Sequence, residues 1–167
     1  ISRYRMHRLR TRLGDRRHLD LMYTVRRAYR RHWPDCRLQT AERQLLQLQR
    51  VDDLPGAEAP AAWRSWLQQR EVEPLRRVME HNFQDVLSLA LLHHRLLRDY
   101  SGEPSPGLDH VGVSRAWAKT GCTRMACQVL ENAGERLDEA GRLQLADLYR
   151  RAGCWSHAEA VWLDLQG

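Results

Sequence analysis

The sequence predicts a mostly helical chain, and three observations carry that prediction. Apolar residues recur at helical spacing through Leu21, Met22, Val25, Ala28, Tyr29 and Trp33, and again through Val86, Leu87, Leu89, Ala90, Leu92 and Leu96. Proline and glycine cut the chain into segments of helix length. Near the end, small and aromatic residues occur in two copies, Trp117, Gly121, Ala126 and Leu130, then Ala146, Tyr149, Gly153, Ala158 and Trp162, with the two glycines 32 residues apart. With 43% hydrophobic residues in 167, the chain suffices for one sizeable packed domain or two small ones.

The elements follow in order. Asp20 stands just before the first helix, where its carboxylate caps free backbone amides, which assigns it a structural role. Arg26, Arg27, Arg30 and Arg31 fill the face opposite the apolar stripe, giving an amphipathic helix with an arginine ridge. Pro34-Asp35 ends it. A short helix is expected over Thr40–Leu48, capped by Thr40, and Asp52-Asp53-Leu54-Pro55-Gly56 reads as a turn. Pro60 suits the first turn of a helix through Trp63, Trp66 and Leu67. After Pro74 one helix is expected through Val78, then a second carrying Asp85. Residues 101–109, which open Ser101-Gly102-Glu103-Pro104-Ser105-Pro106-Gly107, read as a linker. It separates a portion spanning 1–100 from one spanning 110–167.

Charge is uneven. The formal net charge is +6, but residues 1–50 carry fourteen arginines against Asp15, Asp20, Asp35 and Glu42, a net of +10. Clustered arginine attracts phosphate without regard to sequence, and its planar fork binds phosphate through two hydrogen bonds. Lys119 is the only lysine, so arginine-biased codon usage accounts for the excess equally well. The ridge Arg26, Arg27, Arg30 and Arg31 is therefore either a track for a nucleic-acid backbone or a solvated face.

His81 and Asp85 lie four residues apart, hence on one helix face. A carboxylate that holds a hard divalent cation, beside an imidazole that takes a proton from water, is the division of labour required by metal-assisted phosphodiester hydrolysis. The commoner meaning of such a pair is a surface hydrogen bond.

Four motifs in a fixed order add to this: His18-Leu19-Asp20-Leu21, Cys36-Arg37-Leu38-Gln39-Thr40-Ala41-Glu42, Asp53-Leu54-Pro55-Gly56-Ala57-Glu58-Ala59-Pro60 and His81-Asn82-Phe83-Gln84-Asp85-Val86-Leu87-Ser88-Leu89. Over residues 1–100 the chain resembles the YprB-like ribonuclease H-like domains of the DEDD exonuclease superfamily. The resemblance implies the C-terminal part of an α/β domain whose sheet is built largely upstream, with one short strand here near His18–Leu21. It implies a two-metal 3′-to-5′ exonuclease using Mg2+ or Mn2+ on DNA or RNA, with four acidic ligands. Asp85 matches the fourth acid, and His81 the residue that orients or deprotonates the attacking water. The family's Asp-x-Glu pair and second aspartate would precede Ile1, and Ile1-Ser2-Arg3-Tyr4 resembles the helix after that aspartate. The expectation is a fragment, inactive alone. Two departures stand out. The His81–Asp85 spacing is one residue shorter than in common histidine-type members and equals that of tyrosine-type members, and Phe83-Gln84 replaces a usual basic residue.

The two C-terminal copies resemble tetratricopeptide repeats, in which small residues let antiparallel helices pack closely and aromatic residues fill the groove between them. The resemblance implies a surface for a protein partner, while a helical cap on the upstream domain serves the same residues. Cys36, Cys122, Cys127 and Cys154 show no metal-binding spacing and read as free thiols of a reducing compartment. No apolar run reaches the roughly eighteen residues of a membrane helix, so no membrane contact is expected and cytoplasmic residence is the default. Two functions are carried forward: a part of a metal-dependent 3′-to-5′ exonuclease, and a non-catalytic scaffold for nucleic acid or protein.

Overall fold

The computed structural model describes residues 15, 17–51, 55–103 and 105–166. The expected Ile1–Tyr4 helix and the Asp52-Asp53 part of the turn lie outside them. Eight α-helices are formed among the described residues: α1 (Leu21–Tyr29), α2 (Leu38–Ala41), α3 (Ala59–Gln69), α4 (Glu73–Tyr100), α5 (His110–Lys119), α6 (Thr123–Ala133), α7 (Glu139–Arg151) and α8 (Trp155–Asp164). No strand occurs among these residues. The short strand expected near His18–Leu21 is absent because Asp20 caps α1 through the Met22 amide at 2.9 Å, which makes Leu21 the first helical residue.

Helix α1 buries Val25, Ala28 and Tyr29 and turns Arg26, Arg27 and Arg30 outward, as its periodicity requires. Trp33 lies beyond its end and stacks on Tyr29 with ring centroids 4.4 Å apart. Thr40 does not cap a helix. It lies inside α2, and its hydroxyl donates to Asp35 at 2.6 Å, while Asp35 also accepts the Arg37 amide at 3.0 Å. These bonds, Thr40 first, hold the Asp35 carboxyl below its ordinary range. Aspartate thus takes the turn-forming role that the sequence suggested for threonine. From Glu42 to Leu46 the chain continues as a π-helical turn.

The two helices expected around Val78 and Asp85 are one. Pro74 sits in the first turn of α4, where its missing N–H is harmless, and no breaker follows until Tyr100. Ser88, Leu92, Leu96 and Asp99 form its buried stripe. Val86, Leu87 and Leu89, expected in the apolar face, are largely exposed, as are Met79 and Phe83. No strand among the described residues offers that face a sheet to pack on.

A buried polar network ties α1 to α4. The fully buried Tyr29 hydroxyl donates to Asp99 at 2.6 Å and lies 3.0 Å from the Ser105 hydroxyl. Arg95 closes the circle with bonds to Asp99 (3.1 Å) and Ser105 (2.7 Å). Burial, then the bond to Asp99, pushes the Tyr29 hydroxyl far above its usual range. It therefore stays a neutral donor at any physiological pH. Within the segment after α4, Ser105 and Leu108 are buried, and Leu108 shares a core with Val25, Leu92, Val113 and Val129 from both sides of it.

Beyond it, α5 crosses α1 closely. The Asp109 amide donates to the Ala28 carbonyl at 2.7 Å, and a Cβ at Gly112 would stand 2.3 Å from the Arg27 carbonyl oxygen, so only glycine permits this approach. Helices α5 and α6 form one antiparallel hairpin, α7 and α8 another. Each turns through a glycine at positive φ, Gly121 (80°) and Gly153 (75°). Ala126, Leu130, Leu145 and Leu148 are buried between the hairpins, and Ala158 alone is buried in α8. All four cysteines are free. Burial raises the Cys36 and Cys127 thiols, which fits packing rather than reactivity. No described helix is long and apolar enough to cross a membrane.

Candidate functional site

His81 and Asp85 lie on the same stripe of α4 that buries Ser88, Leu92 and Asp99, one and two turns toward its N-terminus. Both side chains therefore face the π-helical turn and the segment after it. The His81 Nε2 and Asp85 Oδ2 are 3.5 Å apart, a long contact.

What faces them is a buried ion pair that the sequence reading did not anticipate. Glu42 is 1% exposed. Its carboxylate accepts two bonds from the Arg50 guanidinium, 2.8 Å from Nε and 2.6 Å from Nη2, the two-pronged geometry that suits arginine and carboxylate. The same Nη2 donates to Asp85 Oδ1 at 2.5 Å, and Nη1 lies 3.4 Å from His81 Nδ1. A guanidinium can only donate, and at 3.4 Å this approach, like the 3.5 Å one between His81 and Asp85, is too long to fix the ring proton on either nitrogen. Hydrogen bonding to Glu42, with Asp85 adding to it, raises the Arg50 guanidinium above its ordinary range despite desolvation. Exposure increases outward, from the Glu42 side chain at 2% and Arg50 at 10% to Asp85 at 35%. The sequence carries little signal for this ion pair, because Glu42 stands among Gln39, Arg43 and Gln44 as a solvated glutamate would.

The arginine ridge is separate. Arg26, Arg27, Arg30 and Arg31 are exposed, and the 3.9 Å approach of Arg31 to Asp109 is too long and too wet to neutralise it. The ridge and the His81–Asp85 pair are not brought together into one cluster.

Against a divalent cation, the described residues fit only in part. Asp85 offers one half-open carboxylate with one oxygen already held by Arg50, whereas a hard divalent ion takes six or more oxygen ligands. Among the described residues, no three His, Cys, Asp or Glu side chains are gathered to hold a metal. They do not constitute a complete site.

A family model described as the RNase H superfamily matches residues 1–97, which include Glu42, Arg50, His81 and Asp85. The chain belongs to the RNase H superfamily. Its RNase H-like domain is of the YprB-like kind: the chain is 29% identical over 154 residues to the uncharacterized protein YprB of Bacillus subtilis (strain 168), across 87% of this chain and 37% of that protein. The chain thus spans little more than a third of that relative's length. No solved structure matches it. RNase H-like domains generally use divalent metals, and the fold here is nuclease-like.

Proposed function

We propose that this chain is part of a metal-dependent 3′-to-5′ exonuclease acting on DNA or RNA. The observation that carries the reading is the placement of His81 and Asp85 on one face of α4, 3.5 Å apart and partly open to solvent, within the residues that match the RNase H superfamily. Asp85 contributes one carboxylate to a Mg2+ or Mn2+ site whose other acids lie outside the described residues. Bound metal would supply charge neutralisation at the phosphate and an activated water. His81 orients or deprotonates that water, and the arginine ridge on α1 draws in the nucleic-acid backbone. The hairpins α5–α6 and α7–α8 are tetratricopeptide-like and serve as a cap on the domain or a surface for a protein partner.

The test is cleavage by the whole protein with Mg2+ or Mn2+, on single strands of DNA and RNA labelled at either end. Stepwise shortening of the 5′-labelled strand, with mononucleotide released from the 3′-labelled one, supports the reading. Internal cuts contradict its polarity. No cleavage moves the assignment to the scaffold reading, which the engagement of Asp85 by Arg50 favours.

The ridge has its own expected outcome. Arg26 and Arg30 are exposed and one turn apart, so they contact neighbouring phosphates together. Replacing both by Gln weakens binding at low salt and lowers the slope of log affinity against log salt by about 1.4 for a single strand. Binding isotherms at several salt concentrations measure it. An unaltered slope makes the ridge a solvated face.

A further inference from the structure

Asp85 is 35% exposed on one side of a long helix, and the contact its carboxylate makes within α4, to His81 at 3.5 Å, is too long to fix its plane. That plane is set from outside. We infer that the Glu42–Arg50 pair is the positioning element of the site, holding Asp85 through Oδ1 so that Oδ2 is presented at the rim beside His81. The inference rests on the nuclease reading of Asp85.

Four features carry it. The two bonds from Glu42, at 2.8 and 2.6 Å, fix both the direction and the plane of the guanidinium. The bond to Asp85 Oδ1 at 2.5 Å leaves from the same Nη2, so the orientation imposed by the buried glutamate passes directly to the rim carboxylate. Nη1 reaches His81 Nδ1 at 3.4 Å, so a single planar group contacts both members of the pair. The backbone, finally, departs from its low-energy forms at this place. Glu42 begins a π-helical turn, and Gln47, which ends it, adopts a left-handed conformation with φ of 55° although it has a side chain. That reversal brings Arg50 back onto Glu42, eight residues earlier. Both irregularities cost free energy, and together they permit the Arg50–Glu42 contact.

The chemistry explains why arginine is used. Lysine would match the charge of Glu42, but an ammonium is a point donor without a plane, and it cannot hold two carboxylates and an imidazole in one fixed fan. Outer partners of this kind, which orient a carboxylate that itself does the chemistry, typically change metal affinity or activity by 10- to 100-fold when removed. Arg50 and Glu42 are thus positioning residues rather than catalytic ones.

The experiment compares wild type, Arg50→Lys, Glu42→Gln and Asp85→Asn in the whole protein. It measures kcat and KM on a single-stranded substrate with Mn2+, together with thermal unfolding. Arg50→Lys keeps a cation opposite Glu42 and Glu42→Gln keeps the shape of the buried side chain, so at least one variant folds. The expected result is a fall in kcat of about 10- to 100-fold in the folded variants, with KM within about threefold of wild type. Wild-type kcat in folded Arg50→Lys and Glu42→Gln, with Asp85→Asn inactive, overturns the positioning role and leaves the nuclease reading standing. Loss of activity in proportion to the loss of folded protein overturns it as well, since a merely structural pair behaves so. Asp85→Asn as active as wild type, or an inactive wild type, overturns the nuclease reading and the inference with it.

Discussion

In the whole protein, Asp85→Asn removes metal-dependent cleavage, with kcat lower by about a thousandfold or more and nucleic-acid affinity nearly unchanged. The size follows from what the substitution takes away. A carboxylate next to a divalent ion supplies several kcal/mol of charge stabilisation, and each ~1.4 kcal/mol is tenfold in rate. The selectivity follows from what it leaves. Asparagine has the same shape, and its amide oxygen still accepts the Arg50 Nη2–H that Asp85 Oδ1 accepts at 2.5 Å. The Glu42–Arg50 pair beneath is untouched, and the exposed arginines of α1 remain. Rate and binding are measured on the same preparation. Unchanged cleavage ends the assignment of Asp85.

The largest effect on stability is expected from Arg50→Met. Glu42 is fully buried, and its carboxylate meets the guanidinium through both oxygens. Removing the cation leaves a buried charge with no compensation, which typically costs about 3–5 kcal/mol, whereas the intact pair gains far less over an apolar replacement. The double variant Glu42→Leu with Arg50→Met therefore recovers most of the loss, because the desolvation cost of both charges disappears with them. Urea unfolding measures this as a shift in midpoint at constant slope. A single variant as stable as wild type would mean that Glu42 is not buried against Arg50 in solution. If the double variant is no better than the single one, the loss has a cause other than the unpaired charge.

The two expectations separate what periodicity reveals from what it cannot. Helix α1 was legible because its apolar and arginine faces alternate with a period of 3.6 and Asp20 marks its start. The placement of His81 and Asp85 on one face was legible for the same reason. The division of α4 into two helices had no breaker behind it, since neither proline nor glycine stands between Val78 and Asp85, and the residues form one helix. Thr40 was misread because Asp35, five residues earlier, competes for the same local bonds and is the better turn former. The strand expected near His18 came from the family's α/β architecture and has no partner among the described residues.

The Glu42–Arg50–Asp85 contact was the main feature hidden from the sequence. Glu42 closes the motif Cys36-Arg37-Leu38-Gln39-Thr40-Ala41-Glu42, and Arg50 stands beside the Asp52-Asp53 turn, but no spacing rule joins them. Their meeting depends on a π-helical turn and a left-handed glutamine, backbone forms without a residue signature here. The Tyr29–Asp99–Arg95–Ser105 network was hidden likewise. Its members come from α1, α4 and the segment read as a linker, and only the tertiary fold closes the distances.

Binding of Mn2+ to the whole protein, followed by the loss of its free-ion electron paramagnetic resonance signal, tests the central claim most directly, since it needs neither substrate nor turnover. Asp85 as a metal carboxylate predicts that wild type takes up the ion and that Asp85→Asn binds it at least about tenfold more weakly. Equal uptake by the two proteins, or none by either, would contradict it.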